Sequence, residues 1–321
     1  MIVIAKAGGC EIYAPSDTWF VSFFSSPYPP HVMSRALDLS TSFEFGDEAL
    51  SPVEGIVEKI VRFDAGPGPY SKYDYVLLLR SGTRWVKIMH VEPRVAVNEK
   101  VFVGDPIGRY IRTNFFDRHH APHMHIEVLR DRSLRPSRAF VIEPSPEFLE
   151  LMSKRCVDAS KCSSMKLRTV YACDEYTFLE PVEMEATCLA TNVKDTMCVV
   201  NAMISRATPY VGLIKLREEG KIKPGAVVRF LGVCLGYVAK IRQCYAIVLP
   251  TRVRYDEWFW NYVSLRNMAR NPVPCTTKSI DVYVDTCLRE VLELLISMNA
   301  CVKIDECIED SYVNLVLREA V

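Results

Sequence analysis

The chain contains no run approaching the roughly 18 to 20 consecutive apolar residues that a membrane-spanning helix needs, so no helical membrane span is expected. It also lacks net charge, because 39 basic residues balance 39 acidic ones. Such a balance argues against a protein whose affinity rests on neutralising phosphates, and no nucleic-acid partner is expected. Glutamine is nearly missing: Gln243 is the only one. Histidine is missing after His125, and no two cysteines have the C-x-x-C spacing of a zinc ribbon or finger. The segment Met1-Ile2-Val3-Ile4-Ala5-Lys6 has no basic leader, and its apolar run falls short of the roughly 7 to 15 residues of an export signal. A cytoplasmic location is the expectation that follows.

The 321 residues are 49% apolar and 24% charged, which fits a globular chain of two domains with filled cores. Twelve cysteines are present, Cys10 alone in the first half and eleven from Cys156 to Cys307. With no histidine among those eleven, disulfides or inert buried thiols are the two readings. Intracellular disulfides belong to hyperthermophiles, and scarcity of a thermolabile residue such as glutamine agrees with a thermophile.

From Glu44 to Leu129 short strands are broken by Gly and Pro. Ser51 to Ile60 reads as a turn and an alternating strand, Tyr75 to Leu79 as a strand, and Trp85 to Val91 as its returning partner. Val101 to Gly108 reads as strand, turn and strand, and His123 to Leu129 closes the series. Strands at roughly 8 to 12 residue spacing predict an antiparallel sandwich or barrel. Ile142-Glu143-Pro144-Ser145-Pro146 has the composition of a linker. The expected organisation is a mainly β domain over 1–145 and a cysteine-rich α+β domain over 146–321. In the latter, helical spacing is predicted for Tyr255 to Arg270 and Val284 to Asn299, and a closing strand for Tyr312 to Leu317.

The histidines carry the chemical signal. All six precede residue 126: His31, His90, His119, His120, His123 and His125. In a strand, His123-x-His125 puts both imidazoles on one face. Two rings so placed suit either two ligands of one metal, or one ligand beside one catalytic group. Asp38 lies in the apolar stretch Ala36-Leu37-Asp38-Leu39, where a buried carboxylate needs a cation or several donors. His119 and His120, beside Asp117 and Arg118, read as an exposed polar loop.

Residues from about 31 to 129 resemble the M23 (LytM-type, lysostaphin-like) zinc metallopeptidase domain. Ala121-Pro122-His123-Met124-His125-Ile126-Glu127 is similar to the family's G-P-H-L-H-F-E signature, and Ile88-Met89-His90-Val91 to its Y-x-H-L segment. Leu50 to Val57 is similar to its A-P-x-x-G-x-V strand, and Val101 to Gly108 to its V-x-x-G-x-x-I-G hairpin. The resemblance implies a LytM-like β-sandwich or barrel with a duplicated hybrid motif. It further implies a zinc ion held by His31, Asp38 and His125, with His90 and His123 as catalytic histidines. His31 and Asp38 are seven residues apart where the family has four, and the loop Val32-Met33-Ser34-Arg35 accommodates the extra three. The implied activity is hydrolysis of a peptide amide bond by metal-activated water, on a peptide or peptidoglycan-like substrate. The alternative is a non-catalytic LytM-like binding or regulatory protein.

Overall fold

A computed structural model describes residues 1–15, 18, 20–23, 29–116 and 122–154, and beyond them segments between 156 and 317, most of them strands. The chain divides into two compact units, one of Met1–Phe24 with Tyr28–Glu150, the other of Ser25–Pro27 with Leu151–Val321. The fold is mainly antiparallel β. No helix among the described residues is long and apolar enough to cross a membrane.

In the first unit the strands are β1 (Ile2–Ala7), β2 (Cys10–Ala14), β3 (Phe20–Phe23), β4 (Leu37–Ser40), β5 (Glu48–Leu50), β6 (Gly55–Asp64) and β7 (Tyr73–Ser81). They continue as β8 (Arg84–Met89), β9 (Val91–Pro93), β10 (Lys100–Val101), β11 (Pro106–Tyr110), β12 (Met124–Leu129) and β13 (Glu143–Pro144). A single helical turn, α1 (Pro29–Val32), precedes β4, and α2 (Pro146–Lys154) follows β13. The principal sheet has the order β10-β6-β7-β8-β12-β4-β3, and two smaller sheets have the orders β5-β11-β9 and β13-β1-β2.

Alternation along β12 decides which residues meet. Met124, Ile126 and Val128 share one face, and His125, Glu127 and Leu129 share the other. Register extends the apolar face: Ile126 lies opposite Leu37 and Ile88, Val128 opposite Val86, and Leu39 opposite Val21. All of these are fully buried, and each such aliphatic side chain contributes about 1.5–3 kcal/mol. Phe23, opposite Leu37, packs on Phe148 of α2 with ring centroids 5.1 Å apart. The second face of the same strands carries the charges. There His125 stands opposite Asp38, and Glu127 opposite Lys87. An apolar cluster of Leu78, Leu129, Ala139, Trp85 and Leu134 packs farther along.

Two local expectations are corrected. Residues 101–108 do not form a hairpin, because β10 pairs with β6 while β11 pairs with β5 and β9. Gly104, at φ +90°, makes the turn that carries the chain from one sheet to the other. The proline-rich segment at 142–146 is no linker either. Pro144 and Glu143 pair with Ala5 and Lys6, and Ser145 caps α2 by accepting the Phe148 amide at 2.9 Å. Pro146 stands at the first helical position, where no amide hydrogen is needed.

Most of the described segments of the second unit are strands. The longest, Thr196–Ser205 and Val233–Arg242, have ten residues each. Trp258–Asn261 is a strand where helical spacing is predicted, held between Thr196–Ser205 and Pro274–Thr276. Its cross-strand partners override the local pattern. The predicted strand Tyr312–Leu317 is present and pairs with Ser164–Ala172. The predicted helix at 284–299 and the side chains of the eleven later cysteines lie outside the described residues. Cys10 is a buried free thiol.

Candidate metal centre

Two paired strands supply the first part of the site. The register that sets Asp38 of β4 opposite His125 of β12 leaves His125 Nδ1 3.2 Å from Asp38 Oδ1. His31, on α1, brings Nε2 to 3.3 Å from the same oxygen and 3.1 Å from His125 Nδ1. All three side chains are buried. The seven-residue separation does not keep His31 away, because the intervening chain is taken up in a tight turn. Within it the Ser34 amide donates to the His31 carbonyl at 2.8 Å and the Arg35 amide to Pro30 at 2.7 Å, with Ser34 at φ +57°.

The protonation pattern follows from the neighbours. His125 Nε2 lies 3.1 Å from Glu127 Oε1. A carboxylate only accepts, and both ring nitrogens face one, so the metal-free ring donates from Nε2 to Glu127 and from Nδ1 to Asp38. A bound metal would take the place of the Nδ1 hydrogen while Nε2 keeps its own. Two nitrogens and a carboxylate oxygen therefore converge on one point. Burial opposes a charged His125 ring, but the hydrogen bonds it donates to Asp38 and Glu127, with their negative charges, outweigh it and push its pKa up to about 9. Burial likewise opposes ionisation of Asp38. The positive charge of His31 and His123 and hydrogen bonds from His125 and His31 nevertheless hold its carboxyl well below the usual carboxylate range. The pocket thus demands positive charge.

A zinc ion fits that demand. With bonds of about 2.0–2.1 Å to nitrogen and oxygen, tetrahedral geometry separates adjacent ligand atoms by about 3.3–3.4 Å. The three separations of 3.1, 3.2 and 3.3 Å are close to this.

His90 and His123 stand beside this cluster. The His90 ring centroid lies 5.5 Å from that of His123 and 6.2 Å from that of His125. His90 occupies the one-residue step between β8 and β9 at φ +66°, a conformation that non-glycine residues adopt rarely and mostly where surroundings enforce it. The enforcing group is Asp74 of β7. Its Oδ1 accepts the His90 amide at 3.2 Å and its Oδ2 accepts His90 Nδ1 at 2.6 Å. Thr113 Oγ1 donates to the same Oδ2 at 3.1 Å. Phe116 packs edge-on against both histidines, 4.7 Å from His90 and 4.9 Å from His123.

Asp74, Lys87 and Glu127 were not among the residues singled out from sequence. Glu127 extends the period-two series begun by His123 and His125, and Lys87 interrupts the apolar stretch Trp85-Val86-Lys87-Ile88-Met89. Both are signals of the kind that exposed Asp38. Asp74 stands at the start of its strand and has no such mark. Residues 117–121, with His119 and His120, lie outside the described residues.

A family model described as the N-terminal domain of a domain of unknown function (DUF8155) matches residues 14–143. No curated protein matches. Among solved structures the chain is similar to the catalytic domain of the antimicrobial peptidase lysostaphin from Staphylococcus simulans, at 20% identity and a TM-score of 0.28, covering 38% of this chain and 86% of that one. It is also similar to LytU, at 18% identity and a TM-score of 0.27, over 43% of this chain and 87% of that one. For whole lysostaphin from Staphylococcus simulans the identity is 16% and the TM-score 0.27, with 83% and 98% covered.

Proposed function

We propose that residues 1–145 are a zinc-dependent metallopeptidase domain that hydrolyses an amide bond of a peptide or peptidoglycan-like substrate. The observation that carries this is the meeting of three buried lone-pair atoms within 3.3 Å of one another, His31 Nε2, Asp38 Oδ1 and His125 Nδ1. These residues would hold the metal, and three protein ligands are the number that catalytic zinc sites use. Zinc held there supplies Lewis acidity, which polarises a carbonyl and acidifies water.

The chain's own histidines supply the rest. Because Asp74 is an acceptor, it fixes the His90 proton on Nδ1 and leaves Nε2 for the substrate. Protonated there as well, the ring donates to the oxyanion that develops on the attacked carbonyl, and Asp74 offsets its positive charge. His123 takes the proton that water gives up in attack and returns it to the leaving nitrogen. Phe116, packed on both rings, keeps bulk water from competing for those nitrogens.

Metal analysis of the purified protein is the first test, with close to one zinc per chain expected and His125→Ala expected to release it. His123→Ala is expected to keep its zinc while amide hydrolysis falls on the order of 10²–10⁴-fold. A chain that takes up no zinc overturns the proposal. Tight zinc without hydrolysis of any glycine-rich or cross-linked peptide would leave the non-catalytic binding module in its place.

A further inference from the structure

On the side of His125 away from Asp38 lies a buried pair of opposite charges. Lys87 Nζ is 2.6 Å from Glu127 Oε1, and that same oxygen is 3.1 Å from His125 Nε2. The side chains of Lys87 and Glu127 are only 8% and 0% exposed. Sheet register builds the arrangement, since Lys87 of β8 faces Glu127 across the strands and His125 is two residues along on the same face of β12. Stability does not account for it. Removing two charges from water costs about what their attraction returns, and an apolar pair of similar volume serves packing equally well. The neighbouring cluster of Leu78, Leu129 and Trp85 is apolar and would accept such a pair.

We infer that Lys87 and Glu127 are positioning residues for the metal site. Lys87 orients Glu127, and Glu127 holds His125 as the Nε2–H tautomer with Nδ1 facing His31 and Asp38, which raises the affinity for a divalent metal. The inference rests on the metal-centre proposal above. The support is one-sided: His31 Nδ1 is buried and has no hydrogen-bond partner among the described residues. Lys87 also reaches the Leu134 carbonyl at 3.5 Å, which ties the ammonium to the loop beyond β12.

Zinc titration against a competing chelator tests this. The double variant Lys87→Met/Glu127→Leu removes both charges together, so neither is stranded, and leaves His125 Nε2 without its acceptor. Its zinc affinity is expected to fall by roughly 10–100-fold, the usual effect of losing an outer-shell partner. Unchanged affinity in a folded double variant overturns the inference while leaving the metal centre intact. A wild-type chain that binds no zinc removes both at once. Should the double variant fail to fold, nitrogen-15 spectra of the histidine rings in the zinc-loaded wild-type protein decide. A slowly exchanging proton on His125 Nε2 is expected, and a ring whose Nε2 is bare or metal-bound overturns the inference.

Discussion

The candidate site is held in two different ways. Asp38 and His125 sit on paired strands of the principal sheet, and the opposite face of those strands buries Leu37, Leu39 and Ile126. Their positions are fixed by the same register that fills the core. His31 and His90 sit instead in short connections, one on a four-residue turn and one on the step between two strands. An isolated turn of that length has no stability of its own. It is secured by a few bonds, such as the Ile142 amide to the Ser34 carbonyl at 2.9 Å and Arg35 Nη1 to the Ser137 carbonyl at 2.8 Å. A sheet places a ligand as a by-product of folding. A connection needs dedicated polar contacts to do the same, so substitutions in the two parts should have separable effects.

The largest effect is expected where a dedicated contact serves the chemistry. Asp74→Asn removes the carboxylate that orients His90 but leaves the core faces of the sheet unchanged. Zinc content should stay near that of the wild type while the turnover rate falls on the order of 10²–10³-fold, the range for losing a donor to a developing oxyanion. Loss of zinc in this variant would mean that the connection and the sheet are not separable. Steady-state kinetics on a cleaved peptide, with metal analysis of the same samples, makes the measurement.

Next in size is the stability contrast. Ile126→Ala opens a cavity between Leu37 and Ile88, and should cost about 2–5 kcal/mol in denaturant unfolding. Met33, in the connection after α1, is 38% exposed, and Met33→Ala should change stability by no more than about 0.5 kcal/mol. Equal losses would show that the turn carrying His31 is part of the cooperative core. The contrast between the two parts would then disappear.

The same division explains what could be seen in the sequence. Asp38 and His125 were legible, because the His123-x-His125 spacing marks His125 and a carboxylate between Leu37 and Leu39 stands out. His31 was legible only through a motif, since nothing in Pro29-Pro30-His31-Val32 shows that a turn will return it to Asp38. Asp74 was not legible at all. Its role depends on the positive φ of His90, sixteen residues away, and on Thr113, thirty-nine away. The sheet order behaved likewise. Pairing of β7 with β8 follows from the Ser81-Gly82 turn, whereas insertion of β12 between β8 and β4 has no local signal.

The smallest effect concerns pH, and it measures how firmly His90 is tied to the sheet. Burial raises the pKa of the Asp74 carboxyl, but the charge of His90 and hydrogen bonds from His90, the Tyr75 amide and Thr113 leave it lowered overall. The folded state therefore binds this proton less readily than the unfolded chain, whose aspartates titrate near pH 3.9. Stability from Asp74 is then fully present above that value and is lost as pH falls through the lower folded pKa. In chelator-treated protein, the unfolding free energy of the wild type should drop more steeply than that of Asp74→Asn from about pH 4 downward. Parallel curves would mean that no charged contact holds His90 to β7. Its unusual backbone conformation would then have to come from the paired strands on either side, and the distinction between strand-held and connection-held residues would fail at the residue where it is sharpest.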